Sequence, residues 1–210
     1  YDFLALTFLP LLERMGPQIR TTLERPGFYP AGGGRFTVAI RPVARLGRLE
    51  LLERGEITHR RARAVVADLP RHIAERELRV VAAELGWPQD CLSVEQTTAG
   101  QGPGNVLLLE VGSAALCEVF TGFGERGRPA EKVAQAVVQQ CRSYLRSGAP
   151  VGEHLADQLL LPMAIAGGGA FLTVGLSRHA RTHLELIPRF CDLPLTVEER
   201  GCAGTLVRLG

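Results

Sequence analysis

ITHRRARAVVADLPRHIAERELRVVAAELG, residues 57–86, changes its period halfway along, and the reading of the fold starts there. Residues 57–69 alternate in the manner of a strand. Pro70, whose missing N–H is no loss in the first turn of a helix, then introduces an apolar stripe of Ile73, Leu78, Val81, Ala82 and Leu85, and Gly86 closes it. Downstream, strands are expected at residues 92–96, 105–111 and 115–121, followed by a helix over residues 130–145. The result is a β-α-β-β-β-α unit with its own sheet and its own two helices, spanning residues 57–146.

On the C-terminal side, Ser147-Gly148-Ala149-Pro150 reads as an exit linker. A helix is expected at residues 151–166, a strand at 170–176, a short helix at 182–190, and strands at 193–197 and 205–209. On the N-terminal side, Leu4, Phe8, Leu11, Leu12 and Met15 fall on one helical face, which Gly16-Pro17 ends. Residues 18–24 alternate weakly as a strand, residues 26–34 form a turn-rich loop, and strands follow at 36–40 and 48–52. The chain opens on Tyr1 inside that apolar helical pattern, as if mid-structure. Helices alternating with strands define an α/β (α+β) protein.

Composition narrows the chemistry. A chain of 210 residues has room for one or two domains, and 46% apolar with 22% charged residues is an ordinary globular balance. A net charge of +2 creates no overall field that demands nucleic acid. Lys132 is the only lysine and sits in a charged helical stretch, which disfavours lysine-centred chemistry. Five cysteines without a C-x-x-C pair argue against a disulfide framework or a structural zinc and point to a reducing compartment, the cytoplasm. Nothing N-terminal resembles a signal peptide, and no segment reaches the ~18 apolar residues of a membrane span. The nearest, residues 159–171, is interrupted by Pro162 and three glycines.

Three stretches carry candidate chemistry. RPGFYPAGGG, residues 25–34, surrounds Phe28 and Tyr29 with two prolines and four glycines, which suits a hairpin loop or a backbone that approaches a ligand closely. HLADQ, residues 154–158, places His154 and Gln158 on one helical face at i and i+4 with Asp157 beside them, opposite Leu155, Leu159, Leu160 and Met163. SRHARTH, residues 177–183, sets His179 just past an expected strand end and His183 four residues on; a surface histidine, a metal ligand and a nucleophile all fit that spacing.

YDFLALTFLPLLERMG (1–16), RPGFYPAGGG (25–34), LPRHIAEREL (69–78), QGPGN (101–105), FTGFGERG (120–127), GEHLADQLLLPMA (152–164) and SRHARTH (177–183), in this order and spacing, closely resemble the RNA 3'-terminal phosphate cyclase family. The resemblance covers the C-terminal part of the family sequence; the N-terminal part, with a Gly-rich segment and a metal-binding acidic residue, lies outside it. It implies repeated β-α-β-α-β-β units with a smaller inserted α/β domain at residues 57–146, residues 1–56 and 147–210 forming the main body. It also implies ATP-dependent conversion of an RNA 3'-phosphate to a 2',3'-cyclic phosphate through a covalent histidine–AMP adduct.

By motif position the nucleophile is His179, and the nucleotide-contacting helix supplies His154, Leu155, Ala156, Asp157 and Gln158, with His154 stacking on adenine. ATP and a divalent metal, Mg²⁺ or Mn²⁺, are implied, with no metal ligand assigned in this chain. The implied partners are RNA with a 3'-phosphate end and the N-terminal part of the same enzyme, without which this chain is expected to be incomplete as a catalyst. Two alternatives stand beside this reading: a non-catalytic, cyclase-like ribosome-biogenesis protein, which would lack the nucleophilic histidine, and an inactive fragment. The chain departs from the family's H-x-x-T-N by carrying His183 after Thr182.

Overall fold

The computed structural model describes residues 1–210. The first helical segment is a π-helical turn, Leu4–Phe8, running into α1, Leu9–Arg14. Pro10 has no N–H to give the preceding turn, and the backbone ahead of it widens. An antiparallel hairpin follows, β1 (Gln18–Arg25) and β2 (Arg35–Arg41), a two-stranded sheet on its own.

The rest of the chain forms two four-stranded sheets. After β3 (Leu49–Leu51), the chain builds β4 (Ile57–Ala67), α2 (His72–Leu85), β5 (Leu92–Thr97), β6 (Gly104–Ser113), β7 (Cys117–Phe123) and α3 (Ala130–Ser147). It then continues through α4 (Glu153–Ile165), β8 (Gly169–Thr173), α5 (Arg178–Phe190), β9 (Leu195–Glu199) and β10 (Thr205–Leu209). One sheet has the order β5-β4-β6-β7 and the other β3-β8-β10-β9, and no strand of one pairs with a strand of the other. The elements β3, α4, β8, α5, β9 and β10 make one complete β-α-β-α-β-β unit, and the other sheet is threaded between its first strand and first helix.

In the inserted sheet, α2 and α3 cover one face, where Ala62, Val66, Leu107, Leu109 and Phe120 meet Leu78, Val81, Val137 and Tyr144. The opposite face meets Phe28 from the β1–β2 loop and Phe3. In the host unit, Leu155, Leu159, Leu160 and Met163 of α4 pack on Phe171, Val207 and Leu209 of the sheet, with Leu11 and Met15 of α1 joining the same core.

Where the inserted unit leaves and re-enters the host, one side chain holds both crossings. Arg54, only 7% exposed, donates to the carbonyls of Tyr144 (2.9 Å) and Leu145 (3.2 Å) at the end of α3. Its guanidinium lies 4.4 Å from the Tyr144 ring centroid, and the Tyr144 hydroxyl donates to the Pro150 carbonyl at 3.0 Å.

Several boundaries differ from the sequence reading. The helix expected from residue 151 begins at Glu153, because Val151 is extended and forms a bridge with Thr173. The strand expected at 170–176 ends at Thr173, and the helix expected at 182–190 starts four residues earlier, at Arg178. β8 ends where its partner β10 begins, Thr205 opposite Thr173, and the Ser177 hydroxyl accepts from the Ala180 N–H at 3.0 Å and caps α5. His179 is therefore a first-turn helical residue instead of a loop residue. The strands expected at 115–121 and 193–197 are each shifted two residues onward, to Cys117–Phe123 and Leu195–Glu199.

Candidate functional site

HLADQ forms the first turns of α4, and burial divides its residues. His154 and Gln158 are exposed, as their i, i+4 spacing predicts. Leu155 and Ala156 are fully buried in the host core, so their side chains pack the helix against its sheet instead of facing a ligand. Asp157 lies between these two groups, 8% exposed.

Asp157 joins α4 to α5. Its Oδ2 accepts from the Ser177 hydroxyl at 3.1 Å, its Oδ1 from the Gln158 amide at 3.1 Å, and its backbone carbonyl from His183 Nδ1 at 3.1 Å. The carbonyl only accepts, so His183 carries its proton on Nδ1. The His183 imidazole thus ties α5 to α4 and makes no bond to His179. His179 itself is exposed on the first turn of α5, and its imidazole makes no hydrogen bond within the protein. Two residues before it, Ser177 both caps α5 and reaches Asp157, so the helix that carries His179 is fixed while the imidazole is free. No three His, Cys, Asp or Glu side chains are arranged to hold a metal ion, and His183 is turned into α4, so the i, i+4 histidines do not form a metal pair.

Beside His154 a cleft of about 320 Å³ opens between the inserted unit and the start of α4, lined by Glu118, Gln140, Tyr144, Gly152 and Glu153 among others. Glu118 of β7 is 2% exposed. Burial pushes its carboxyl up to about 8, against the opposing pull of hydrogen bonds from the Gly152 and Val119 N–H groups. Neither Glu118 nor Arg54 stood out in the sequence; the one local signal was a carboxylate at an inward position of the LCEVF strand.

Four other motifs meet at one end of the inserted sheet. Phe28 of RPGFYPAGGG lies against Gly104 of QGPGN so closely that a Cβ there would fall 1.9 Å from the ring. Asn105 of the same motif donates to Glu77 of LPRHIAEREL at 2.9 Å, and its backbone carbonyl accepts from Gly124 of FTGFGERG. These motifs serve here as packing junctions between loops.

A histidine-bearing helix locked to its neighbour, on a β-α-β-α-β-β host with an inserted sheet, defines a two-unit α/β protein. Comparison with known proteins places it further. The RNA 3'-terminal phosphate cyclase family model matches residues 1–197, and the chain belongs to that family. It is 48% identical over 204 residues to the RNA 3'-terminal phosphate cyclase of Koribacter versatilis, covering 97% of this chain and 58% of that relative. It is 46% identical to the protein of the same name from Ectopseudomonas mendocina, covering 93% of this chain and 57% of the relative. For that of Pseudomonas fluorescens the figures are 48% identity, 95% and 57%. The chain thus spans under three fifths of the length of these relatives. No helix is long and apolar enough to cross a membrane.

Proposed function

We propose that this chain carries the AMP-accepting histidine of an ATP-dependent RNA 3'-terminal phosphate cyclase. In this reading a ring nitrogen of neutral His179 attacks the α-phosphorus of ATP, the bond to pyrophosphate breaks, and AMP remains on the imidazole as a phosphoramidate. An oxygen of the RNA 3'-phosphate then attacks the same phosphorus and releases His179. The 2'-OH next attacks the activated RNA phosphorus, loses its proton, expels AMP and closes the 2',3'-cyclic phosphate.

One observation carries the reading: within a chain of this family, His179 is exposed and unbonded on a helix whose position is fixed by Ser177 and Asp157. A nucleophile needs a free lone pair and a rigid support, and this arrangement supplies both. His154 and Gln158 on the adjoining face of α4 suit a stacked base and a hydrogen bond to it. Leu155 and Ala156 act from beneath, by packing. The family resemblance also calls for a divalent metal with the triphosphate. The donor set in this chain does not form such a site, so no step is assigned to a metal here. The presence of His179 speaks against the non-catalytic, cyclase-like alternative.

The test is labelling with ATP that carries isotope at the α-phosphorus. The full-length wild-type enzyme, N-terminal part included, is expected to acquire acid-labile, alkali-stable AMP, and its His179→Ala variant to acquire none while melting at the wild-type temperature, because the side chain is exposed. Undiminished labelling of folded His179→Ala protein overturns the assignment.

A further inference from the structure

We propose that Glu118, a residue of the inserted sheet, is a positioning residue for the nucleotide-facing end of α4, setting through Gly152 where His154 stands and so how tightly ATP is held. The inference rests on the reading of α4 as the nucleotide helix and adds to it a role for the inserted unit.

The geometry is specific. Glu118 Oε2 accepts from the Gly152 N–H at 2.8 Å, and Gly152 is the N-cap of α4. A helix leaves its first N–H groups without intrahelical partners, and no side chain of α4's own cap residue serves them. The partner comes instead from a strand 34 residues earlier in the chain. Contact is tight as well as polar: a Cβ on Gly152 would lie 2.8 Å from Glu118 Cδ, so a larger residue there would displace the carboxyl or the helix start. Behind this contact Glu118 is held in register opposite Val111 of β6, and its strand does not yield easily. Gly152, Glu153 and His154 line the cleft together with Glu118, which places the anchored backbone two residues from the exposed imidazole.

The ionisable groups around Glu118 are Tyr144 of α3, Cys117 on its own strand, and Glu153 and His154 of α4. Arg54, on the linker side, is engaged with Tyr144 and the end of α3. Burial leaves the Glu118 carboxyl only partly ionised near neutrality, so glutamine, with an acceptor oxygen of equal reach, is the fair mimic.

The test compares Glu118→Ala, Glu118→Gln and Gly152→Ala with wild type by amide hydrogen exchange and by ATP-dependent labelling of His179. Loss of an N-terminal capping bond corresponds to about a tenfold change. Glu118→Ala is therefore expected to speed exchange at residues 152–156 and raise KM for ATP by about that factor, with kcat at saturating ATP within about twofold. Glu118→Gln should restore both, and Gly152→Ala should reproduce the alanine pattern from the helix side even if Glu118→Ala proves too unstable to assay. Unchanged exchange overturns the tether. Faster exchange with an unchanged KM overturns the positioning role, as does a fall in kcat alone. A full-length wild-type enzyme that never labels breaks the function reading instead, and exchange still decides whether the tether exists.

Discussion

The inserted sheet and the host sheet have the same make-up, each with one parallel pair, two antiparallel pairs and two helices, yet they bury different numbers of ionisable side chains. The inserted unit buries the carboxyls of Glu77, Glu110 and Glu118, of which Glu77 Oε1 has no hydrogen-bond partner. Arg63 donates to Glu110 at 2.7 Å and to Asp2 at 2.6 Å, and Glu77, fully buried, accepts from Asn105 at 2.9 Å. The host buries one ionisable side chain, Asp157, while His154, Gln158 and His179 stand exposed on it. A buried polar group with a partner belongs to the architecture, since losing either partner is costly. An exposed polar group without one, on a backbone fixed by buried bonds, is what a ligand can use. Asp157 and Glu118 sit on the boundary between these two behaviours, and both act on α4.

The largest expected effect tests whether the two units are separable at all. Phe171→Ala removes a fully buried ring from the centre of the host core and should cost about 4 kcal/mol. Hydrogen exchange should then rise across α4, β8 and α5 while β4 to β7 keep their protection. Equal loss in both sheets would make them one cooperative body and break the contrast.

Glu77→Gln sharpens it. Burial pushes the Glu77 carboxyl up to about 7 from an ordinary 4.5, opposed by the Asn105 bond. The folded chain then holds that proton more tightly than the unfolded one. Its contribution is complete below the ordinary value and is lost as pH rises through about 7, a total of roughly 3 kcal/mol. Urea denaturation should find the variant equal to wild type near pH 4 and progressively more stable than wild type up to about pH 8. Parallel curves would mean that Glu77 does not titrate in this range.

Ser177→Ala has the smallest expected effect on stability, about 1 kcal/mol for the lost cap. It also cuts the bond to Asp157, so labelling of His179 should slow even though the imidazole is intact. A wild-type labelling rate would show that the α4–α5 lock does not orient the nucleophile.

The inserted unit was the more legible in the sequence. Its strand-to-helix change at Pro70 and the long amphipathic helix at 130–145 are local signals, and the structure keeps their order. The host misled at its short elements: Val151 looks helical until Thr173 pairs with it, and Ser177 was read within a histidine motif and not as a cap. HLADQ gave the right face for His154 and Gln158, but the packing of Leu155 and Ala156 depends on strands far away in sequence. Glu118 and Arg54 could not be found this way, because each acquires its meaning from a partner 34 or 90 residues distant.

That last separation has a consequence for how the chain reaches this state. The cost of closing a flexible loop grows with the logarithm of its length, and β3 and α4 must find each other across the whole inserted unit. Once that unit has folded, the Arg54 bond to the Tyr144 carbonyl brings two points 90 residues apart to within 2.9 Å. The connection the host still has to close then runs only through the few linker residues on either side. A strand and a helix that are remote along the polymer thereby acquire the effective sequence distance of neighbours.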